Sequence, residues 1–278
     1  MVEVLNYRAN ETPFWNKLRI DPIEDDSGEV THYLGFQSDV TERKRTEQLI
    51  SLLDRVLRHN LRNDMNIVLG YADLARTAST DSQTNHIEQI HDAATGLLEL
   101  SEQAQELEEL ARHERTPKRI HLDELLAEVV AEQQNKVPES TIDVNTDTNL
   151  AICAGSELHT AVSELVENAL LHNSASQPWV GIEVQETDEW IELSVVDDGP
   201  GIDEMETDVI ATGRETPLNH GTGLGLWLVN WVVTRYGGSF QIQARSDTAG
   251  TEATMSLPAI APEQAVSDVV QPPTTLFW

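Results

Sequence analysis

Between Val40 and Thr116 the chain contains no proline, and apolar residues recur at Leu49, Leu53, Val56, Leu57, Leu61, Val68, Tyr71 and Leu74. That spacing predicts one long helix. A polar break, Thr77-Ala-Ser-Thr-Asp-Ser82, interrupts it. A second stripe follows at Ile87, Ile90, Ala94, Leu97, Ala104, Leu107 and Ala111, and Thr116-Pro117 ends the segment. Two long helices with a short connection form an antiparallel hairpin. A lone hairpin cannot bury its seam, so residues 41–117 are expected to pair with a second copy as a four-helix bundle. This requirement constrains the chain more than any other feature.

The flanking segments differ. Before the hairpin, Phe14–Ile20 alternates as a strand does, Asp25-Asp-Ser-Gly28 is a turn, and Val30–Val40 is a second β-rich run. Forty residues are too few to close a core alone. After Pro117, helices are expected over Leu122–Gln134 and Ser156–His172, the second with Ser156 as N-cap. Strands are expected over Ile142–Thr146, Trp179–Glu186 and Trp190–Asp197, with a hairpin at Phe240–Leu257 turning through Asp247-Thr-Ala-Gly250. Residues 118–260 thus form an α+β sandwich of ordinary domain size. The stretch from Ala261 to Trp278 lacks periodicity and is expected to be a flexible tail.

Charge narrows the function. The 278 residues carry 48 Asp+Glu against 18 Lys+Arg, a formal net charge of −30. Nucleic-acid binding needs basic stripes, so it is disfavoured, as is docking on anionic membrane surfaces. At molar salt the Debye length falls to about 3 Å, which removes most of the self-repulsion. An acidic excess with only four lysines among its basic residues therefore suggests a salt-filled cytoplasm. The alternative is an acidic surface for a basic partner. Acidic residues occur in every segment, which favours the salt reading. No apolar run is long enough to span a bilayer, and the N-terminus lacks the regions of a signal peptide. A cytoplasmic protein without membrane insertion is expected. Cys153, the one cysteine, lies in the apolar run Leu150–Cys153 and reads as a core residue.

Three segments carry chemistry. Glu164, Asn168 and His172 recur every four residues and line one helix face beside an apolar stripe of Leu158, Val162, Leu165 and Ala169. An Asn oxygen there suits Mg²⁺, which keeps most of its waters; by itself the face would be merely solvated. Asp197 shares the parity of Ile191, Leu193 and Val195, so its carboxylate points toward the side they bury and needs a donor. An adenine amino group would serve, and Gly199 and Gly201 would let backbone approach a ligand. The plain alternative is an Asp-Gly turn. Gly221-Thr222-Gly223-Leu224-Gly225 opens an apolar helix, where backbone amides bind phosphate. Its G-x-G-x-G spacing is not the dinucleotide signature.

In this order, within one α+β region, the segments resemble the sensor histidine kinases, whose catalytic domain shares its ATP-binding fold with gyrase, mismatch-repair and heat-shock-chaperone ATPases (the GHKL type). Glu164–His172 resembles their N box, Asp197–Ile202 the first glycine box and Gly221–Leu226 the second. The resemblance implies ATP bound with Mg²⁺ on Asn168, adenine on Asp197, and a lid over the phosphates from Asp203 to His220. Within and beside that lid, Arg214, His172 and His220 are possible phosphate contacts; no phenylalanine-rich box is present. Leu57-Arg-His59-Asn60-Leu-Arg-Asn63-Asp64 resembles the phosphoacceptor box, with His59 as acceptor. Relatives carry an acid directly after this His, where this chain has Asn60. Asn63 stands where relatives place an amide or Thr that orients water for dephosphorylation. His91-Asp-x-x-Thr95 imitates the box but lies in the second helix, so His91 is expected to be solvated or packed.

Residues 1–40 resemble the last strands and exit of a PAS sensor domain, through Asn6-Tyr-Arg8, Thr12-Pro-Phe-Trp-Asn16 and Gly35–Arg43. The expected fold class is therefore multi-domain α+β: a PAS-like fragment, a dimeric hairpin carrying His59, and a GHKL-type sandwich. The resemblance implies an ATP-dependent histidine kinase, homodimeric through 41–117, that passes phosphate to a separate response-regulator receiver domain. An ATPase without a His acceptor is the first alternative, because Glu164 stands where ATPase relatives place a water-activating Glu. A non-catalytic dimeric scaffold is the second.

Overall fold

The computed structural model describes residues 1–9, 12–76, 80–146, 150–187, 189–202, 224–245 and 248–275. Two compact units emerge. One comprises Met1–Arg45, Arg115–Leu218 and Leu226–Trp278; the other is essentially Thr46–Glu114.

The second unit is the helical hairpin, built from α1 (Thr41–Ala75) and α2 (Thr80–Arg112). Ile50, Leu53 and Leu57 of α1 face Ser101, Ala104 and Gln105 of α2 across a shared groove. Near the connection the rings of Tyr71 and His86 lie 5.6 Å apart. The seam is not uniformly covered. Leu49, Leu52, Leu53, Leu100, Ala104, Leu107 and Ala111 are buried, whereas Leu61, Leu69, Leu74 and Ile87 are each more than half exposed. The expected α2 stripe is thus dry only in its C-terminal half. Toward the connection, a single copy leaves the apolar face in water, which is costly for large side chains.

In the first unit, β1 (Val2–Tyr7), β2 (Pro13–Glu24) and β3 (Val30–Asp39) form an antiparallel meander. Its end is tied into α1. Asp39 accepts bonds from the Thr41 backbone N–H and hydroxyl through Oδ1, and from Arg8 through Oδ2 at 2.5 Å. The Trp15 N–H donates to the Thr41 hydroxyl oxygen at 2.9 Å.

The rest of this unit is an α+β sandwich. β4 (Lys118–His121) precedes α3 (Leu122–Lys136), β5 (Thr141–Asn145), β6 (Ala151–Ala154) and α4 (Leu158–Leu171). Then come β7 (Trp179–Thr187), β8 (Trp190–Asp197), α5 (Leu224–Arg235), β9 (Ser239–Ala244), β10 (Thr251–Pro258) and the single turn α6 (Val266–Val269). Five strands lie in the order β5-β7-β8-β10-β9, with only β5–β7 parallel. The α4 stripe expected from spacing is buried at Leu158, Val162, Leu165 and Ala169, as are Ile191, Leu193 and Val195 of β8. β4 and β6 pair separately; at four residues each they are too short to show a period.

Two expectations are corrected. Ser156 does not cap α4: the N-cap residue is Glu157, with helical φ/ψ and no side-chain cap bond. Its carboxylate instead accepts bonds from Tyr236 and Arg235. The tail is not flexible over 261–275. Val266, Val269 and Val270 pack on Ala151, Cys153 and Ile260. Arg119 donates to the carbonyls of Ile260, Ala261 and Gln264, and the Thr274 N–H reaches the Thr234 carbonyl. Partial burial of these valines favours the packed tail and opposes the entropy of a free chain. Cys153 is buried as expected, and that burial raises its thiol pKa.

Candidate functional site

On α1, His59 is exposed. Its Nδ1 lies 3.2 Å from Asn60 Oδ1 and 3.4 Å from Asn63 Nδ2. When Nδ1 carries the proton and donates to Asn60 Oδ1, Nε2 holds the lone pair that a nucleophile needs. Asn60 Oδ1 is thus within reach of a proton on Nδ1. His91 is well exposed, with its ring 3.8 Å from Asp92, as a solvated histidine would be.

In the sandwich, Asn168 and Glu164 are half-buried on α4, and His172 is its exposed C-cap. The helix end meets the end of β8. A side chain on Gly199 would come within 3.6 Å of the His172 carbonyl oxygen. Asn173 Nδ2 donates to Asp198 Oδ1 at 2.5 Å. The structure thus brings the C-terminal end of α4, with His172, up to Asp198 and Gly199 at the end of the central strand β8, and Asn168 lies one turn back on that helix.

Asp197 is held by backbone. Its Oδ1 accepts the N–H of Gly199 at 2.8 Å and of Thr251 at 3.1 Å. Among the described residues no bond engages Oδ2, so that oxygen retains its capacity to accept from a ligand amino group. Spacing alone missed the partners across the sheet. The Arg245 guanidinium donates to the Asp197 carbonyl at 3.2 Å. Gly250, at φ 130°, passes so close that a Cβ would overlap the Asp197 carbonyl oxygen and lie 2.9 Å from its carbon. A glycine directly ahead of the β10 alternation was the available signal. Gly201 also needs its positive φ of 89°. Gly250→Ala is expected to destabilise the sandwich by about 2–3 kcal/mol through strain and collision. The check is thermal unfolding, with Tm lowered by about 6–12 °C.

Leu224 and Gly225 open α5 and are buried. Gly221, Thr222, Gly223, Arg214, His220 and the lid segment lie outside the described residues. The half-buried Asn168 amide makes no side-chain hydrogen bond among the described residues. Among those residues no cluster of three or more His, Cys, Asp or Glu could hold a metal alone. The uncommitted Asn168 amide fits a hydrated Mg²⁺ that takes one amide and otherwise phosphate and water. Among the described residues no helix is long and apolar enough to cross a membrane.

Residues 154–261 match the family described as histidine kinase-, DNA gyrase B-, and HSP90-like ATPase, and residues 1–42 match the PAS domain. The Bacterioopsin transcriptional activator of Halobacterium salinarum is 43% identical over 76 residues, 24% of this chain and 11% of that protein. The blue-light-activated histidine kinase 1 of Erythrobacter litoralis is 22% identical over 273 residues, 95% of this chain and 69% of that protein. Among solved structures, histidine kinase ThkA in complex with response regulator protein TrrA aligns with TM-score 0.58 and 20% identity, covering 94% of this chain and 80% of that one. That likeness shows a shared fold. The chain spans 11% and 23% of the first two curated relatives. Residues 154–261 thus carry a domain of the histidine kinase-, DNA gyrase B-, and HSP90-like ATPase type, and the full-length likeness is to a histidine kinase.

Proposed function

We propose that the chain phosphorylates itself on His59 from ATP and passes the phosphoryl group to an aspartate of a separate response-regulator receiver. The observation that carries this reading is the exposed His59 with Asn60 Oδ1 beside its Nδ1: with the proton on Nδ1 donated to that oxygen, Nε2 keeps the nucleophilic lone pair. Adenine is held through Asp197, with Gly199 and Gly201 leaving room for it. The glycines Gly221, Gly223 and Gly225, with Thr222 and Leu224, would supply backbone amides to the phosphates. Asn168 would hold Mg²⁺, which neutralises phosphate charge when bound. Nε2 attacks the γ-phosphorus in line, the bond to the β-bridging oxygen breaks, and ADP leaves. Asn63, one turn beyond His59, can position water against phosphohistidine and so support a phosphatase activity.

Homodimerisation through 41–117 is part of this reading and is supported by the exposed Leu61, Leu69, Leu74 and Ile87, which a second hairpin would cover. The test of function is the label from γ-labelled ATP. A kinase of this type takes an acid-labile, alkali-stable label. Glu164 on the α4 face favours a second reading, an ATPase, under which ATP turns over without any label. A chain that binds no ATP is a scaffold.

The charge of −30 adds an expectation, since a polyanion must enter an acidic protein. ATP affinity, measured by calorimetry, is expected to rise from low to molar KCl as repulsion is screened. An affinity that only falls with salt removes the halophilic interpretation.

A further inference from the structure

Asn173 and Asp198 stand beside the residues assigned to nucleotide and metal, and not among them. Asn173 follows the C-cap of α4, and Asp198 follows the last residue of β8. Asn173 Nδ2 donates to Asp198 Oδ1 at 2.5 Å. The amide can face only one way. Asn173 Oδ1 accepts the Ala175 N–H at 2.9 Å, so the NH₂ group is the end that meets Asp198. The same Asp198 oxygen accepts the Trp179 N–H at 3.3 Å, and Trp179 is the first residue of β7. One carboxylate oxygen therefore gathers both ends of the 173–179 connection against the end of β8.

The bond joins the two candidate ends of the nucleotide site. On the helix side, the His172 N–H donates to the Asn168 carbonyl at 3.1 Å, so helical bonding runs unbroken from Asn168 to the residue before Asn173. That turn rises about 6 Å. On the strand side, Asp198 is the chain neighbour of Asp197, whose Oδ1 is held by the N–H groups of Gly199 and Thr251. Gly199 lets the two sides meet. A Cβ there would lie 3.0 Å from Asp197 Oδ1 and 3.6 Å from the His172 carbonyl oxygen.

The pair contributes little to the core. Asp198 is exposed and Asn173 half-buried, and surface substitutions generally change stability little. The apolar residues of α4 and β8, Leu165 and Val166 against Leu193 and Val195, are buried without it. Spacing matters far more to a ligand that must engage both sides at once. A misplacement of about 1 Å can cost a bound reactant about 100-fold in rate.

We infer that Asn173 and Asp198 are positioning residues for the Mg²⁺ complex of ATP: their bond sets the distance between the adenine end of the site at Asp197 and the metal end at Asn168. It rests on the assignment of adenine to Asp197 and of Mg²⁺ to Asn168, and the pair acts through those two residues.

The test is calorimetric titration of the full chain with ATP, once with Mg²⁺ and once with EDTA, in Asn173→Ala, Asp198→Ala and Asp198→Asn. The ratio of the two affinities measures how well the base and metal ends work together. In both alanine variants this ratio is expected to fall at least about 5-fold, the lower end of ordinary coupling between sites, while the affinity in EDTA stays within about 2-fold of the parent. Asp198→Asn keeps an oxygen that accepts both N–H groups, so its ratio stays near that of the parent. Asn173→Ala carries the test if Asp198→Ala does not fold. An unchanged ratio in the alanine variants overturns the inference, including the case where affinity falls equally with and without Mg²⁺, the mark of a contact that only holds the fold. A ratio lost in Asp198→Asn as well overturns it too. If the parent chain binds no ATP, or binds it equally in Mg²⁺ and EDTA, the nucleotide assignment itself fails and the positioning role falls with it.

Discussion

Replacing His59 with Gln is expected to abolish the acid-labile label while ATP binding persists. Gln keeps polarity and helix propensity at an exposed α1 position, so folding is little affected. It lacks an imidazole lone pair, and no amide nitrogen substitutes as a nucleophile at neutral pH. Asn60→Ala separates roles: it removes the acceptor beside Nδ1, so labelling slows without vanishing. A label that survives His59→Gln assigns the acceptor elsewhere.

The second large effect concerns Asp197. Asp197→Asn is expected to fold as the parent does and to bind ATP about 10- to 150-fold more weakly, the equivalent of one charge-assisted hydrogen bond of about 1.5–3 kcal/mol. The amide oxygen can still accept the N–H groups of Gly199 and Thr251 that Oδ1 now accepts. The other position becomes an NH₂ and opposes the adenine amino group donor to donor. Asp197→Ala differs, because it also orphans two backbone N–H groups and lowers Tm. Calorimetric titration with ATP beside thermal melts distinguishes the two. Equal affinity in Asp197→Asn would remove Asp197 from the nucleotide site.

Much of this architecture is legible in the chain because its signals are local. Proline-free periodicity marks both helices of the hairpin, and the shared parity of Ile191, Leu193 and Val195 picks out the buried face of β8. What is illegible depends on partners distant in sequence. Arg45 sits in the run Thr-Glu-Arg-Lys-Arg, and nothing local separates it from Arg43, which meets Glu3 at the surface. Its burial is set by residues 231, 234 and 274. The tail misleads for the same reason, since a few valines and one arginine clamp carry no period. Gly250 reads as an ordinary turn until the Asp197 carbonyl is seen against it. The Ser156 expectation fails because Glu157 is drawn to Arg235 and Tyr236, leaving the cap without its usual geometry.

The burial of Arg45 bears on how chimeric receptors should be joined. The natural seam to cut, between the last sensor strand and the first helix, falls at Val40. A foreign sensor spliced on the C-terminal side of Arg45 would bring its own first turn and strand Trp231, Thr234 and Thr274 without their guanidinium. A graft that retains this chain from Thr41 onward keeps that set intact. Matched grafts cut on either side of the turn would therefore differ in the stability of the sandwich, although each preserves the helical heptads in phase.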